Sequence, residues 1–237
     1  MNEFANKISE FKNKFVETQK KINEIRFDAH WYRRVFHTFG ASFIWYYTLP
    51  NMGWVNLLKT IIPILIVFAL LVIEILRIKG KIGLNHFFGL RMYEKNRIGS
   101  YLFFGIGILI LLLFFPQQIA VPCILCACIA DPILGEIRTK FNEKTVYLTG
   151  FILCMSIFAL TWYKTNLIFT LLISLIGGAG AVIGEMKKFW WLDDDLMIQI
   201  LPAIMIAATV ASIQFFFHIN ILPEQLIYPG EIPKWMM

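Results

Sequence analysis

Charged residues are scarce in this sequence. Asp, Glu, Lys and Arg together make up 16% of the 237 residues, whereas hydrophobic residues make up 58%. A mean hydropathy of +0.64 is too high for a water-soluble domain, and several runs reach the roughly 18 apolar residues that a membrane-spanning helix needs. We therefore expect an all-α, polytopic membrane helix bundle. Residues 1–34 are charged and lack an apolar core, so no cleavable signal peptide is expected.

Several familiar chemical motifs are also missing. The chain contains neither a GxxxxGK[ST] phosphate-binding loop nor a serine nucleophile elbow, which argues against P-loop NTPases and α/β-hydrolases. The glycines in 177–184 lack the spacing of a dinucleotide fingerprint, so Gly180-x-x-x-Gly184 is expected to serve close helix packing. No basic patch carries a nucleic-acid-binding motif, and no nucleic-acid partner is expected.

Cysteine is also rare, with four residues at 123, 126, 128 and 154. The spacing Cys123-x-x-Cys126 is that of half a metal site, but it lies in an apolar run. No second Cys or His pair has zinc-finger spacing. We expect buried, packing thiols and no disulfides, because a bundle of this size has enough core without them.

The chain divides into three predicted parts: an amphipathic cytoplasmic or interfacial helix at 1–34, a transmembrane bundle at 35–219 and an extended tail at 220–237. Apolar residues with 4-3 spacing in the first helix suit a membrane-surface or intramolecular position, which we favour, or pairing with a second copy as a homodimer. Seven spans are predicted, at 40–58, 61–77, 98–115, from 117 onward, 146–163, 166–186 and 196–219.

The distribution of basic residues predicts the orientation. If the N-terminus and the loops after spans two, four and six share one side, 19 of the 22 Lys and Arg residues lie there. The other side holds only Lys59, Lys164 and Lys234. By the positive-inside rule the N-terminus is cytoplasmic and the C-terminus lies outside.

The segment 117–145 is the most informative part of the chain. It begins as an apolar run, is interrupted by Ala130-Asp131-Pro132, and becomes polar at 135–140. An acidic residue inside a span costs roughly 2.5–3.5 kcal/mol and is a functional-site hypothesis by default. Because Asp before Pro is a good N-cap, we predict a helix that breaks near Asp131 and restarts, with free N–H groups suited to a phosphate. The alternative is a helix that ends at the interface, with Asp131 among the headgroups.

The polar clusters all fall on the predicted cytoplasmic side. They are Arg33, Arg34 and His37; Arg91, Glu94 and Lys95; Asp131, Glu136, Lys140 and Lys144; and Glu185 with Asp193, Asp194 and Asp195. A carrier should also place polar residues near mid-membrane or on both faces. Carboxylates from two distant segments could instead share a Mg²⁺ ion, with Lys and Arg beside them for phosphates, as phosphoryl transfer requires.

Five short motifs occur in one order along residues 33–205. They are Arg33-Arg34-x-x-His37-x-x-Gly40; Glu94 with Gly99 and Tyr101; Asp131 with Gly135 and Lys140; Lys144-Thr145; and Glu185 with Asp193-Asp194-Asp195-Leu196 and Pro202. In this order they resemble the CTP-dependent polyprenol kinases, the group of dolichol, phytol and farnesol kinases, to which CTP-dependent diacylglycerol kinases are related.

The resemblance implies a kinase-like bundle that transfers the terminal phosphate of CTP, with Mg²⁺, to a membrane lipid alcohol such as a prenol at the cytoplasmic face. We expect Asp131 and Asp194 to hold the metal, and Asp193, or alternatively His37, to orient the substrate hydroxyl. The residues expected at the nucleotide are Arg33, Arg34, Glu94, Asp131, Glu136, Lys140, Lys144 and Glu185.

The chain also departs from the family pattern. Ala130 stands where the family has Gly, Pro132 is unusual, Val146–Thr149 replaces a Glu-Gly-Ser, and Asp195 replaces Asn. Two other functions therefore stay open. One is a cytidylyltransferase that joins CTP to a lipid phosphate and releases pyrophosphate, and the other is a transporter or membrane scaffold without catalysis.

Overall fold

The apolar runs of the sequence form helices throughout the part of the chain that this computed structural model describes, residues 34–82, 94, 97–186 and 192–230. No strand occurs within those ranges. The predicted amphipathic helix, including Arg33, lies outside the described residues except for Arg34. The predicted pairing of this helix with a second copy therefore also falls outside them. The predicted tail is described as far as residue 230, where it is not helical.

Within the described ranges, six helices form the bundle. They are α1 (Gly53–Ile78), α2 (Ser100–Phe114), α3 (Gln117–Ile137), α4 (Glu143–Trp162), α5 (Leu167–Met186) and α6 (Asp194–Phe217). All except the 15-residue α2 are long and apolar enough to cross a membrane. These five long helices indicate a multi-pass integral membrane protein, which confirms the coarser prediction of an all-α membrane helix bundle.

The predicted first span is wrong. Residues 34–40 are helical, Ala41–Tyr47 is a 3₁₀-helix, and the chain turns before α1 begins at Gly53. Pro50 has no N–H to donate, so a single helix over 40–58 is interrupted there. Within the described residues, five long helices and the short α2 replace the seven predicted spans. We call residues 34–47 the lead segment.

The lead segment runs along α3. His37 at its start contacts Asp131 near the end of α3, whereas Tyr47 at its end lines a cavity with Gln117 at the start of α3. The bundle therefore has two distinct ends, which we call the His37 end and the Tyr47 end.

Small residues allow α5 to pack closely between its neighbours. A Cβ atom on Gly184 would lie 2.5 Å from the carbonyl oxygen of Met197, and one on Gly180 would lie 2.9 Å from the Cα of Pro202. On the side facing α4, a Cβ on Gly177 would lie 2.6 Å from the ring of Phe158. The glycines of α5 therefore serve close helix approach, as predicted.

The expected break at Asp131 is also wrong. Asp131 has helical dihedrals (φ −56°, ψ −50°), and α3 continues through it to Ile137. In a regular α-helix the ring of Pro132 would clash with the carbonyl of Cys128. A π-helical turn at Cys126–Ala130 precedes the proline and widens the helix at that carbonyl. Asp131 is therefore not an N-cap, and no restarted helix presents free N–H groups there.

The four cysteines lie in the core. All are buried and free, alongside fully buried side chains such as Ile124, Phe158 and Trp162. This confirms that the thiols serve packing.

We predict that Gly184→Ala destabilises the bundle by about 1–3 kcal/mol, because the new methyl group meets backbone atoms of α6 that cannot rotate away. Thermal unfolding of the detergent-purified protein should show a lower midpoint. Gly135→Ala is the matched control, because a Cβ atom there has open space and alanine favours a helix. Equal midpoints for Gly184→Ala and the wild type would contradict the close packing.

Candidate functional site

An imidazole and two carboxylates from three separate elements meet at the His37 end. His37 of the lead segment places Nδ1 3.3 Å from an Asp131 carboxylate oxygen and Nε2 3.8 Å from a carboxylate oxygen of Asp195. The His37 and Asp195 side chains are 2% and 1% exposed, whereas that of Asp131 is 16% exposed. We call these three residues the His–Asp–Asp cluster. Its partly exposed member, Asp131, is the one open to a ligand.

Local helix geometry places Asp195. Asp193 caps α6, because one of its carboxylate oxygens accepts a 3.1 Å hydrogen bond from the backbone N–H of Asp195. One turn later Gln199 donates from Nε2 to the carbonyl oxygens of Asp195, at 2.7 Å, and Phe104, at 3.3 Å. Gln199 therefore links the start of α6 to α2.

Helix α2 forms one wall of the cluster. The Phe104 ring lies 4.6 Å, between centroids, from the His37 ring. Gly107 leaves room for Gln199, since a Cβ atom there would lie 2.7 Å from its side-chain oxygen. An apolar wall of this kind shields the imidazole from water and strengthens its interactions with the carboxylates.

Ion pairs surround the cluster. Arg34 donates a hydrogen bond to Glu136, and Lys140 lies 3.3 Å from the same carboxylate. Arg138 Nη2 donates to Glu185 Oε1 at 2.6 Å. We call these five residues the rim. The rim carries three cations and two carboxylates, and it borders the carboxylates of Asp131 and Asp195.

The acidic side chains offer ligand atoms for a metal ion. His37, Asp131 and Asp195 each present one such atom, and these lie within 4.8 Å of one another. Asp193, Asp194 and Asp195 form a second group of the same size. Asp131 and Asp195 share the first group, whereas Asp194, which was expected beside Asp131, lies with Asp195 in the second. Two carboxylates and an imidazole suit a divalent cation, and the oxygen donors suit Mg²⁺ in particular.

Asp193 has an altered acidity. Burial, a hydrogen bond with Asp194 and the charges of Asp195 and Asp194 raise the pKa of Asp193 to about 8. Three adjacent carboxyl groups at one helix start thus do not all carry a full charge near neutral pH.

Glu94 lies in a different cluster from the one expected. Its carbonyl oxygen accepts a 3.0 Å hydrogen bond from Arg77 Nη1, and Arg77 also donates to Glu74 from Nε at 2.7 Å and Nη2 at 2.6 Å. Glu74 also accepts from the Gly99 N–H at 2.5 Å and from the Tyr101 hydroxyl. These contacts tie the end of α1 to the start of α2, so Gly99 and Tyr101 of the Glu94 motif have a structural role.

The structure thus unites most, but not all, of the predicted residues. The expected residues that gather at one end are His37, Asp131 and the rim residues Arg34, Glu136, Lys140 and Glu185. Lys144 lies at the same end, exposed in the first turn of α4, and has no ion pair in the described residues.

Sequence reasoning placed Asp195 in a polar cluster without giving it a role, and it did not select Arg138, Glu74 or Gln199. For Glu74 and Gln199 a signal was present as polar pairs at i,i+3 or i,i+4, namely Glu74 with Arg77 and Asp195 with Gln199.

Comparisons with known proteins add no relative. No protein-family model matches the chain, and neither a curated protein nor a solved structure matches it significantly. The fold and site define a multi-pass membrane protein with a buried His–Asp–Asp cluster. The resemblance to polyprenol kinases depends on the order of short motifs alone.

We predict that Arg77→Met lowers the free energy of unfolding by about 3–5 kcal/mol, because it leaves the Glu74 carboxylate buried without its cation. Adding Glu74→Leu should recover much of the loss. Arg34→Met is the control, since its pair with Glu136 is partly exposed and should matter little for stability. Thermal unfolding in detergent measures all four proteins. Equal losses for Arg77→Met and Arg34→Met would contradict a structural role of the buried pair.

Proposed function

We propose that the protein is a membrane phosphotransferase that moves the terminal phosphate of CTP to a lipid alcohol, most simply a prenol, at the cytoplasmic face. The observation that supports this most directly is the meeting of Asp131 and Asp195, 64 positions apart in the sequence, at one imidazole. Convergent carboxylates bordered by Arg and Lys are what phosphoryl transfer requires.

The rim supplies the contacts for a phosphate chain. The side chains of Arg34, Arg138 and Lys140 are 34%, 40% and 66% exposed, so all three can reach a ligand from water. Each pairs with Glu136 or Glu185 in the structure, and phosphate oxygens would compete with those carboxylates for the same donors. Lys144, exposed at the same end, adds a fourth cation.

Asp131 and Asp195 are the residues that would hold Mg²⁺, which when bound neutralises charge on the phosphates. We assign to His37 a positioning role, because its two ring nitrogens face these two carboxylates at 3.3 and 3.8 Å.

We assign to Asp193 the role of orienting the acceptor hydroxyl. In the transfer the hydroxyl oxygen bonds to the terminal phosphorus of CTP and the bridging bond to the β-phosphate breaks. The hydroxyl proton passes to solvent water, and CDP is the product. The lipid tail would remain among the apolar helices.

One observation favours the transport alternative. A polar cavity that includes Lys59 and Gln117 lies at the Tyr47 end, so polar groups occur at both ends of the bundle. The interior between the ends is closed by fully buried apolar side chains, among them Ile108, Leu111 and Ile124. We therefore place catalysis first.

The deciding assay offers gamma-labelled CTP or ATP, with Mg²⁺, to the detergent-purified protein. The acceptors are farnesol, geranylgeraniol, phytol, a long polyprenol and diacylglycerol. We expect label from CTP in a prenol. Pyrophosphate release with a lipid phosphate would instead indicate a cytidylyltransferase, and failure to bind CTP would leave transport or a scaffold.

We predict that Asp131→Asn and Asp195→Asn each lower turnover by about a hundredfold or more, because each removes a carboxylate that stabilises the transferring phosphate. Glu143→Gln is the matched control, since it removes an exposed carboxylate at the same end. Normal insertion and yield of the variants would show that the fold survives. Wild-type turnover in Asp195→Asn would remove that residue from the site.

Metal binding gives a separate test. We predict that Mn²⁺, followed by electron paramagnetic resonance, binds the wild type about 10–100-fold more tightly than His37→Asn, because the imidazole orients both carboxylates. Asp195→Asn should weaken binding further. Equal affinity in all three proteins would place the ion elsewhere.

A further inference from the structure

A lysine at the Tyr47 end is buried without a carboxylate partner. Lys59, in the second turn of α1, is 8% exposed. Its Nζ donates to the carbonyl oxygen of Leu49 at 2.9 Å and to the side-chain oxygen of Asn51 at 3.1 Å, and it lies 5.2 Å from the centre of the Tyr46 ring. In the described part of the chain its partners are therefore neutral. An ammonium has three donors, and two of them are used.

Two cavities meet at this lysine. One is polar, with a volume of about 490 Å³, and is lined by Tyr47, Asn51, Gln117 and others. The second is an apolar groove of about 560 Å³ between the 3₁₀ part of the lead segment and α1. Tyr46, Lys59 and Leu112 line both. Each volume is in the range of small-molecule sites, and together the two form a polar cavity joined to an apolar groove.

The described lining of the two cavities carries a positive charge, which suits an anion. Among the described residues that line the two cavities there is no Asp or Glu, and Lys59 is the cation. The Tyr47 hydroxyl is buried and has no hydrogen-bond partner in the described residues. Tyr47 and Lys59 both line the polar cavity, and an unused hydroxyl and a buried cation are each costly unless an acceptor binds there.

Exposed aromatic rings place this end at a membrane interface. Trp45 and Trp54, which line the groove, are 76% and 56% exposed. Tyr163 and Tyr228 are 66% and 61% exposed. Both tyrosines belong to the Tyr47 end, because the residue before each one bonds to the start of α3. Trp162 Nε1 donates to the Gln118 carbonyl oxygen, and the Ile227 N–H donates to the Gln117 side chain. Such rings sit at headgroup level.

We infer that the Tyr47 end binds an anionic phospholipid, with its phosphate at Lys59 and Tyr47 and one acyl chain in the groove beside Trp45 and Trp54. The site belongs to the leaflet opposite the His–Asp–Asp cluster and is independent of the proposed transfer reaction. The bound lipid supplies the counter-charge that the described residues do not provide for Lys59, and it covers the turn between the lead segment and α1.

Native mass spectrometry of the protein in a neutral detergent tests this directly, with phosphatidylglycerol as the anionic lipid and phosphatidylcholine as the zwitterionic one. We expect one phosphatidylglycerol to bind the wild type, with phosphatidylcholine about tenfold weaker. Lys59→Met should weaken phosphatidylglycerol about tenfold, as expected for one charge-assisted hydrogen bond, whereas Lys59→Arg should retain most of the affinity. Lys164→Met, at an exposed lysine of the turn after α4, is the matched control.

Lys59 also holds the turn at Leu49 and Asn51, so two further variants keep the test decisive if Lys59→Met folds poorly. Tyr47→Phe should raise the unfolding midpoint of the lipid-free protein, by removing an unsatisfied hydroxyl, and yet weaken phosphatidylglycerol. Leu58→Trp should obstruct the groove, whereas Leu57→Trp, on the same helix outside the groove, should not.

Three results would overturn the inference. The first is equal binding of phosphatidylglycerol and phosphatidylcholine. The second is unchanged lipid affinity in both Tyr47→Phe and Leu58→Trp. The third is that glycerol phosphate raises the unfolding midpoint of the protein as much as the intact lipid does, which would assign the polar cavity to a soluble anion.

Discussion

A buried imidazole that faces two carboxylates is the interaction on which the described structure depends most. His37 and Asp195 are both desolvated, which is tolerable only with charged groups close by, and the three members of the cluster come from three different elements. The lead segment, α3 and α6 must therefore meet in one arrangement. The Phe104 wall and the Gln199 link fix that arrangement from α2.

Close backbone contact stabilises the same end of the bundle. Gly184 lies against the carbonyl of Met197, two residues after Asp195, so α5 leaves little freedom to the start of α6. Glu185, the next residue of α5, is paired with Arg138 at the end of α3. Helix packing and rim electrostatics are thus neighbouring parts of one structure, in which the glycines set the spacing and the ion pairs set the charge.

Much of the fold could be predicted because apolar run length and helical periodicity depend on local sequence. The five long helices, the buried cysteines and the glycine contacts of α5 follow from such signals. The first span was placed wrongly because the turn at Pro50 divides an apolar run that hydropathy treats as continuous. Asp195, rather than Asp194, contacts His37 because of the rotation of α6 about its own axis, and tertiary packing sets that rotation. The structural role of Gly99 and Tyr101 depends on their bonds to Glu74. Because Glu74 is one charge within a long apolar run, the hydropathy pattern gives no sign of those bonds.

The π-helical turn before Pro132 bears on which insertions and deletions α3 can accept. A π turn holds one more residue than the α-helical turn it replaces, so it is equivalent to a single-residue insertion within α3. An insertion into a regular α-helix would rotate everything after it by about 100°, whereas the π turn takes up the extra residue locally and Asp131 keeps the direction that faces His37. Removing one residue from Cys126–Ala130 would restore α-helical winding and bring the Pro132 ring against the carbonyl group of the preceding turn. The extra residue therefore makes room for the proline without turning the carboxylate away.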